Sequence, residues 1–268
     1  MNNDFININN KNLLNNELKN KIKKLKIPHN WTNIHIANNY NSKIQAFGFD
    51  NKNKKQYIYH PLWKIITNNI KFSNIENFNI NKLNKVLQLY INNNNNFNKL
   101  YVISNMIQLM MDLNIRVGNE IYLKKNDTIG LCTMQKDNFK NNCLIFQGKK
   151  GIIHNKTLNS KHLNFINDVI KLPGKYLFQY LNNNKVEQIN AIDLNNFLKK
   201  YVDINLSTKD IRTYQANKIF VNYINKNKSK FFNIKKLQSK AIKYTANELG
   251  NTSTVCKNSY INPNNLLV

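Results

Sequence analysis

Apolar and polar positions change their spacing along the chain. From about residue 28 to 60, Asn33–Ala37, Lys43–Asp50 and Gln56–His60 place an apolar residue at every second position, the period of a half-buried strand. Between the last two, the Asn- and Lys-rich run from Asp50 to Lys55 reads as a turn, so these segments predict an antiparallel sheet with a basic hairpin tip. Upstream, Leu13–Leu25 has the spacing of a short amphipathic helix, and the polar first ten residues are expected to fray. Beyond a boundary around Trp63–Phe72 the spacing turns helical. Ile80–Ile91 and Asn98–Leu113 are predicted helices separated by an Asn-rich loop at Asn92–Asn96. In the second of them Leu100, Ile103, Ile107 and Met110 recur at intervals of three and four, which predicts one buried face.

Ile129–Met134, Cys143–Gln147 and a run through His154 read as three strands, with Gly148–Gly151 as a tight basic turn between the last two. Helices are expected again at Leu158–Lys171, Asp193–Val202, Thr208–Ile224 and Leu237–Leu249, and no internal repeat is visible. The pattern predicts an α+β protein: a small N-terminal domain with an antiparallel β-sheet (1–67), then a larger, mainly α-helical domain (68–268) carrying a three-stranded β insert.

Charge adds a partner to this picture. The chain carries 40 Lys and Arg against 14 Asp and Glu, a formal charge of +26. A surface that basic binds a polyanion by releasing its condensed counterions, so nucleic acid is the expected partner. An A/T-rich coding sequence would also raise Lys, Asn and Ile, but it does not account for so few acidic residues. Tyr57 and Tyr59 fall on one face of the predicted sheet beside Lys54 and Lys55, where they suit contact with nucleic acid or packing against a helix. Three cysteines in no paired metal spacing read as thiols of a reducing, intracellular compartment. No apolar run has the length of a membrane span, so no membrane contact is expected. No phosphate-binding Gly-x-x-x-x-Gly-Lys-Ser/Thr loop occurs, and the acidic residues do not cluster as a two-metal site would require, so neither cofactor nor metal is expected.

All but two of the 40 basic residues are lysine; the exceptions are Arg116 and Arg212. A guanidinium presents a planar fork of donors that can hold two phosphate oxygens at once, which an ammonium cannot do. Chance or a structural ion pair is the competing explanation.

The surroundings of these arginines carry a resemblance. Arg116-Val117-Gly118-Asn119, the turn Gly148-Lys149, Lys209-Asp210-Ile211-Arg212-Thr213 and the stretch Leu249-Gly250-Asn251-Thr252 to Ser259-Tyr260-Ile261-Asn262-Pro263 stand in the order and spacing of small type IB DNA topoisomerases of the poxvirus and bacterial kind. Lys54–Pro61 resembles the hairpin of the same family. Each segment alone is weak, but five in register are specific. The resemblance spans roughly residues 27–263 and implies a catalytic domain of the tyrosine recombinase and topoisomerase IB kind.

It implies that Tyr260, one of 13 tyrosines, attacks a DNA phosphate to form a 3′-phosphotyrosyl ester. Arg116 and Arg212 would stabilise charge on the non-bridging oxygens, and Lys149 would protonate the leaving 5′-oxygen, with Lys150 the neighbour most easily confused with it. Asn251, nine residues before the tyrosine, stands where poxvirus members have histidine and bacterial and some giant-virus members have asparagine. Its amide can donate to a phosphate oxygen but carries no charge; a role in the turn after Gly250 is the alternative. Lys54, Lys55, Tyr57, Tyr59, Lys150, Lys209 and Lys257 are the expected DNA contacts, and the implied partner is double-stranded DNA held by a monomer closed around it. The sequence ends at Val268, eight residues past Tyr260, where poxvirus members continue into a further helix. A tyrosine recombinase would share the catalytic set, although its second arginine usually follows a histidine by three positions and Lys209 stands there. A DNA-packaging protein without chemistry would need only the charge.

Overall fold

The computed structural model describes residues 4–8, 16–93 and 97–266, and the chain divides into two compact units between Ser73 and Asn74. In the first unit β1 (Phe5–Asn7), β2 (Thr32–Ala37), β3 (Ile44–Phe49) and β4 (Lys55–Tyr59) form one antiparallel sheet in chain order, with helix α1 (Asn16–Leu25) between β1 and β2. Within the ten N-terminal residues expected to fray, Phe5–Asn7 is a strand because it pairs with His35–Ala37, an edge that no local period announces. Leu13–Asn15 of the predicted helix and 94–96 of the predicted loop lie outside the described residues. Ile36, Ala37 and Ala46 are fully buried under the sheet, and Leu18 packs from α1.

The tip between β3 and β4 is ordered by Asp50. Its carboxylate accepts from the backbone of Lys52 and Lys54 at 2.9 Å each and from Gln56 at 2.8 Å. The amide of Lys54, first among these, holds the Asp50 carboxyl below its ordinary pKa. One sheet face carries an aromatic row: His35 stacks on Phe47 at 4.6 Å, Phe47 lies 6.3 Å from Tyr57, and Tyr57 6.1 Å from Tyr59. Tyr57 and Tyr59 each remain 42% exposed, and Lys55 sits over the Phe47 ring at 3.9 Å.

Helix α2 (Pro61–Glu76) carries the chain past the division. The second unit holds α3 (Ile80–Asn92), α4 (Lys99–Leu113), α5 (Glu120–Asn126), β5 (Phe139–Lys140), β6 (Cys143–Gln147), β7 (Ile153–Thr157), α6 (Ser160–Val169), the hairpin β8 (Gln179–Asn182) and β9 (Lys185–Gln188), α7 (Ala191–Tyr201), α8 (Thr208–Asn227), α9 (Ile234–Leu249) and α10 (Ser253–Ser259). The abundance of asparagine has a structural use here. Asn79, Asn98, Asn119, Asn159, Asn190 and Asn233 each accept from a first-turn amide, satisfying donors that a helix start leaves open.

Helix α4 is the axis of the larger core. It is buried on nearly every side, through Tyr101, Val102, Ile103, Met106, Ile107, Leu109, Met110 and Met111, rather than along the one face that its spacing predicts, while Leu100 is only partly covered. Packing from α3, α6, α7, α8 and β8 surrounds it, leaving the polar stripe Asn105, Gln108 and Asp112 partly open. A second, smaller core joins α8, α9 and α10 through Ala216, Phe220, Ala241, Ala246, Leu249, Cys256 and Ile261.

The segment 129–134 is not a strand. Leu131–Thr133 form a 3-10 turn, and the edge of the three-stranded sheet is supplied by Phe139–Lys140, with order β5-β6-β7. The amides of Leu131 and Cys132 bond the carbonyls of Arg116 and Val117 at 2.9 and 2.7 Å, so this apolar run uses its backbone on another loop instead of a sheet. Elements that the spacing does not announce are α2, a continuous helix through the expected boundary at Trp63–Phe72, α5, α10 and the β8–β9 hairpin, whose turn places both Asn183 and Asn184 at positive φ.

Ile107 is fully buried at the centre of α4. Ile107→Ala is expected to lower stability by about 2–5 kcal/mol through lost transfer energy and a residual cavity. Urea unfolding measures this, and a loss under about 1 kcal/mol would show that α4 is not the axis of the core.

Candidate active site

Arg116 leaves α4 on a short extended segment. Asn114 ends the helix in the left-handed region, and the 3-10 turn at 131–133 then grips the carbonyls of Arg116 and Val117. Two backbones cross here with no room for side chains: a Cβ on Gly130 would lie 2.5 Å from the Cα and N of Gly118 and 2.7 Å from the Arg116 oxygen. Gly118 also needs φ +80. Asn119 then caps α5 by accepting from Ile121 at 2.9 Å. The Arg116-Val117-Gly118-Asn119 motif is thus a device for fixing the root of one guanidinium.

Arg212 sits near the start of α8 and is 7% exposed. Nη1 donates to the Asn114 carbonyl and Nη2 to the Leu249 carbonyl, while Nε is buried without a partner among the described residues. Arg116 donates through Nη2 to Oδ1 of Asn251 at 2.5 Å and to the Gly250 carbonyl at 3.4 Å. The amide nitrogen of Asn251 is buried and likewise unpartnered. The Arg212 guanidinium carbon lies 5.8 Å from the centre of the Tyr260 ring. The structure therefore brings Arg116, Arg212, Asn251 and Tyr260 together.

The electrostatics of this cluster are those of two neighbouring cations. Among the described residues no carboxylate pairs with either arginine. Burial, with repulsion from Arg116, lowers the Arg212 pKa to about 10, and burial lowers that of Arg116. Both stay charged at neutral pH. The carbonyls that receive them end α9, whose Glu248, Leu249 and Gly250 oxygens accept from Lys156 (3.5 Å), Arg212 and Arg116. Gly250 at φ +58 closes that helix in the left-handed conformation.

Tyr260 is half-buried and closes the short helix α10, whose start Thr252 caps. Its segment is pinned by Asn217 of α8, which donates to the Tyr260 carbonyl at 2.8 Å and accepts from the Asn262 amide at 2.8 Å. Asn262 in turn donates to Glu76 at 2.6 Å. Asn217 has no signature in the sequence that would separate it from its many fellow asparagines.

Two further residues were not foreseen. His154 and Lys156 alternate along β7 and face the arginines; burial, then Lys156, Arg116 and Arg212, push the His154 pKa down to about 4, and burial lowers that of Lys156. Only the strand period, applied to polar positions, could have paired them. Lys149 and Lys150 are exposed on the turn between β6 and β7, where Lys150 (φ 65) and Gly151 (φ 75) bend the chain. Lys149 stands in the turn of the hairpin that carries His154 and, among the described residues, makes no hydrogen bond or ion pair to the arginine cluster. Lys209 and Lys257 are exposed on α8 and α10, and Lys54 and Lys55 are exposed on the sheet tip of the first unit.

Comparison with known proteins identifies the family. A family model described as "Eukaryotic DNA topoisomerase I, catalytic core" matches residues 60–266. The chain is 34% identical over 261 residues to DNA topoisomerase 1B of Acanthamoeba polyphaga mimivirus, covering 90% of this chain and 76% of that protein. It is 29% identical over 259 residues to DNA topoisomerase 1 of Rabbit fibroma virus, covering 90% and 78%. It is 25% identical over 235 residues to DNA topoisomerase 1B of Vaccinia virus strain Copenhagen, covering 82% and 70%. A basic chain that brings its two arginines and Tyr260 together, and that matches these proteins over about eight- to nine-tenths of its length, belongs to the type IB DNA topoisomerase family of the viral kind, isomerases that act on DNA.

Proposed function

We propose that this topoisomerase relaxes supercoils by one transesterification and its reversal, without ATP or metal. The Tyr260 hydroxyl attacks a backbone phosphorus, forming the phosphotyrosyl bond as the bond to the 5′-oxygen breaks; the tyrosine proton passes to water and the 5′-oxygen takes a proton from Lys149. The strand rotates, and the freed 5′-hydroxyl then attacks the phosphotyrosyl ester, returning its proton to Lys149, and expels Tyr260, whose oxygen regains a proton from water. No bond energy is lost between the two steps, so no external energy source is needed.

The observation that carries this reading is the pair of buried donors, Arg212 Nε and Asn251 Nδ2, that have no partner among the described residues, beside two guanidiniums that pair with no carboxylate among them. A buried donor without a partner costs about 1–3 kcal/mol and a buried charge more, so such an arrangement makes sense where an anion completes it. Phosphate oxygens would accept from both donors and from the free nitrogens of Arg116. The fork of Arg212 is engaged with the carbonyls of Asn114 and Leu249, so its contact to phosphate runs through Nε and through charge rather than through both terminal nitrogens. In the first unit, the exposed Tyr57 and Tyr59 with Lys54 and Lys55 would contact duplex DNA, and the chain would act as a monomer closed around it.

Relaxation of supercoiled plasmid in EDTA without ATP tests the whole reading. Tyr260→Phe should abolish both relaxation and the covalent DNA adduct while DNA affinity stays within about threefold, since only a hydroxyl is removed. An adduct formed by that variant would displace Tyr260 as nucleophile.

Arg212→Lys should slow cleavage by about two to four orders of magnitude although the charge is kept, because lysine has no nitrogen at the Nε position and cannot bridge both carbonyls. Arg116→Lys should fail on a similar scale. Single-turnover cleavage measures both, and a change under about threefold would leave charge alone as the requirement.

Lys149→Ala should lose cleavage of ordinary DNA and regain it when the 5′-oxygen is replaced by sulfur, a leaving group that needs no proton. Lys150→Ala should lose only affinity, with a salt dependence shallower by about one counterion. Rescue of Lys150→Ala by sulfur, with Lys149→Ala left inactive, would move the acid one position along the turn.

A further inference from the structure

His154 has no role in the reaction above, yet it touches both turns that the reaction needs. Its ring stacks on Phe146, with centroids 5.0 Å apart and planes 23° from parallel. Along its edges lie two glycines. A Cβ on Gly148 would stand 2.6 Å from Cδ2 and Nε2 of the imidazole, and a Cβ on Gly250 would stand 2.4 Å from Cε1 and 3.0 Å from Nε2. The ring therefore fills the space between Gly148, which opens the turn carrying Lys149, and Gly250, which precedes Asn251 and accepts from Arg116.

The backbone at Gly148, with φ −90 and ψ −167, is open to any residue, so glycine is required there for space alone. At Gly250 space and the left-handed conformation act together. The charges facing the ring are Lys156, Arg116 and Arg212, and together with burial they keep it neutral above about pH 4. A neutral ring adds no repulsion to an already cationic site, and an aromatic plane cannot shorten as a flexible side chain could.

We propose that His154 is a positioning residue: a planar, uncharged spacer that sets where the Lys149 turn stands relative to Asn251 and Arg116, and so whether the Lys149 ammonium reaches the leaving 5′-oxygen. The inference rests on Lys149 being the acid. Its consequence is specific, because a spacer that acts only by aiming the acid becomes dispensable when the leaving group needs no proton.

The test is single-turnover cleavage by the full chain of two DNA substrates that differ only in a 5′-bridging oxygen or sulfur, with DNA affinity and thermal unfolding measured alongside. His154→Ala, which removes the spacer, and Gly148→Ala, which pushes the turn off it, should each lose about 10- to 100-fold with oxygen, the scale of an ångström's misplacement, and return to within about threefold of the parent with sulfur. Arg116→Ala should stay slow with both. A His154→Ala defect that is equally large with sulfur overturns the proposal. If that variant does not fold, Gly148→Ala decides by the same criterion. Lys149→Ala is the control for the premise: if sulfur fails to restore it, the assignment of the acid falls, and the spacer role falls with it. If sulfur restores Lys149→Ala but neither spacer variant, only the spacer role falls.

Discussion

Like charges must be held side by side in this site, and the negative end of one helix makes that possible. The last carbonyls of α9, at Glu248, Leu249 and Gly250, point at Lys156, Arg212 and Arg116. A helix leaves these oxygens without amide partners, and its dipole makes them negative. A cation at a helix C-terminus gains about 0.3–1 kcal/mol, up to ~2 when partly buried, whereas burying an ion costs several. The carbonyls therefore offset part of the cost and leave a deficit. In the proposed reaction a DNA phosphate would supply the missing negative charge.

The same helix end explains why glycine recurs around the chemistry. Gly250 turns the chain out of α9 so that Asn251 can meet Arg116, Gly118 and Gly130 let the Arg116 segment cross its support, and Gly148 clears space for His154. With only seven glycines in the chain, four of them stand within this small region. Their common property is close backbone approach, which fixes the roots of the functional side chains more tightly than the tips. Tyr260 is held in the same manner, by Asn217 donating to its backbone carbonyl, with Asn217 in turn accepting from the backbone of Asn262, which donates to Glu76.

Lysine and arginine divide the work in this chain. Lysines on the exposed surfaces supply a diffuse field that draws in DNA whatever its sequence. The two arginines sit at the one place where donors must be held in a plane and remain charged despite burial. Arg212 keeps its proton even with its pKa lowered to about 10, a state that a lysine in the same environment would hold with less margin.

Local spacing determined much of the fold. Strands β2, β3, β4, β6 and β7 and helices α3, α4, α6, α7, α8 and α9 follow from period two and period 3.6, because the pattern of burial along one element is written in that element's own residues. The scarcity of arginine and the motif ending at Tyr260 likewise marked the four residues that the structure brings together. Tertiary structure alone decided the rest. Residues 129–134 read as a strand because a short apolar run has no period of its own, and they became a 3-10 turn because the carbonyls of Arg116 and Val117 were there to accept. His154, Lys156 and Asn217 look ordinary in sequence and gain their roles from partners in other elements. Arg116 meets Asn251 across 135 residues and Arg212 meets Asn114 across 98. Such contacts leave no trace in the local alternation of polar and apolar positions, because what selects them is the space and charge that arise once the α9 terminus, the β7 strand and the Arg116 segment are packed together.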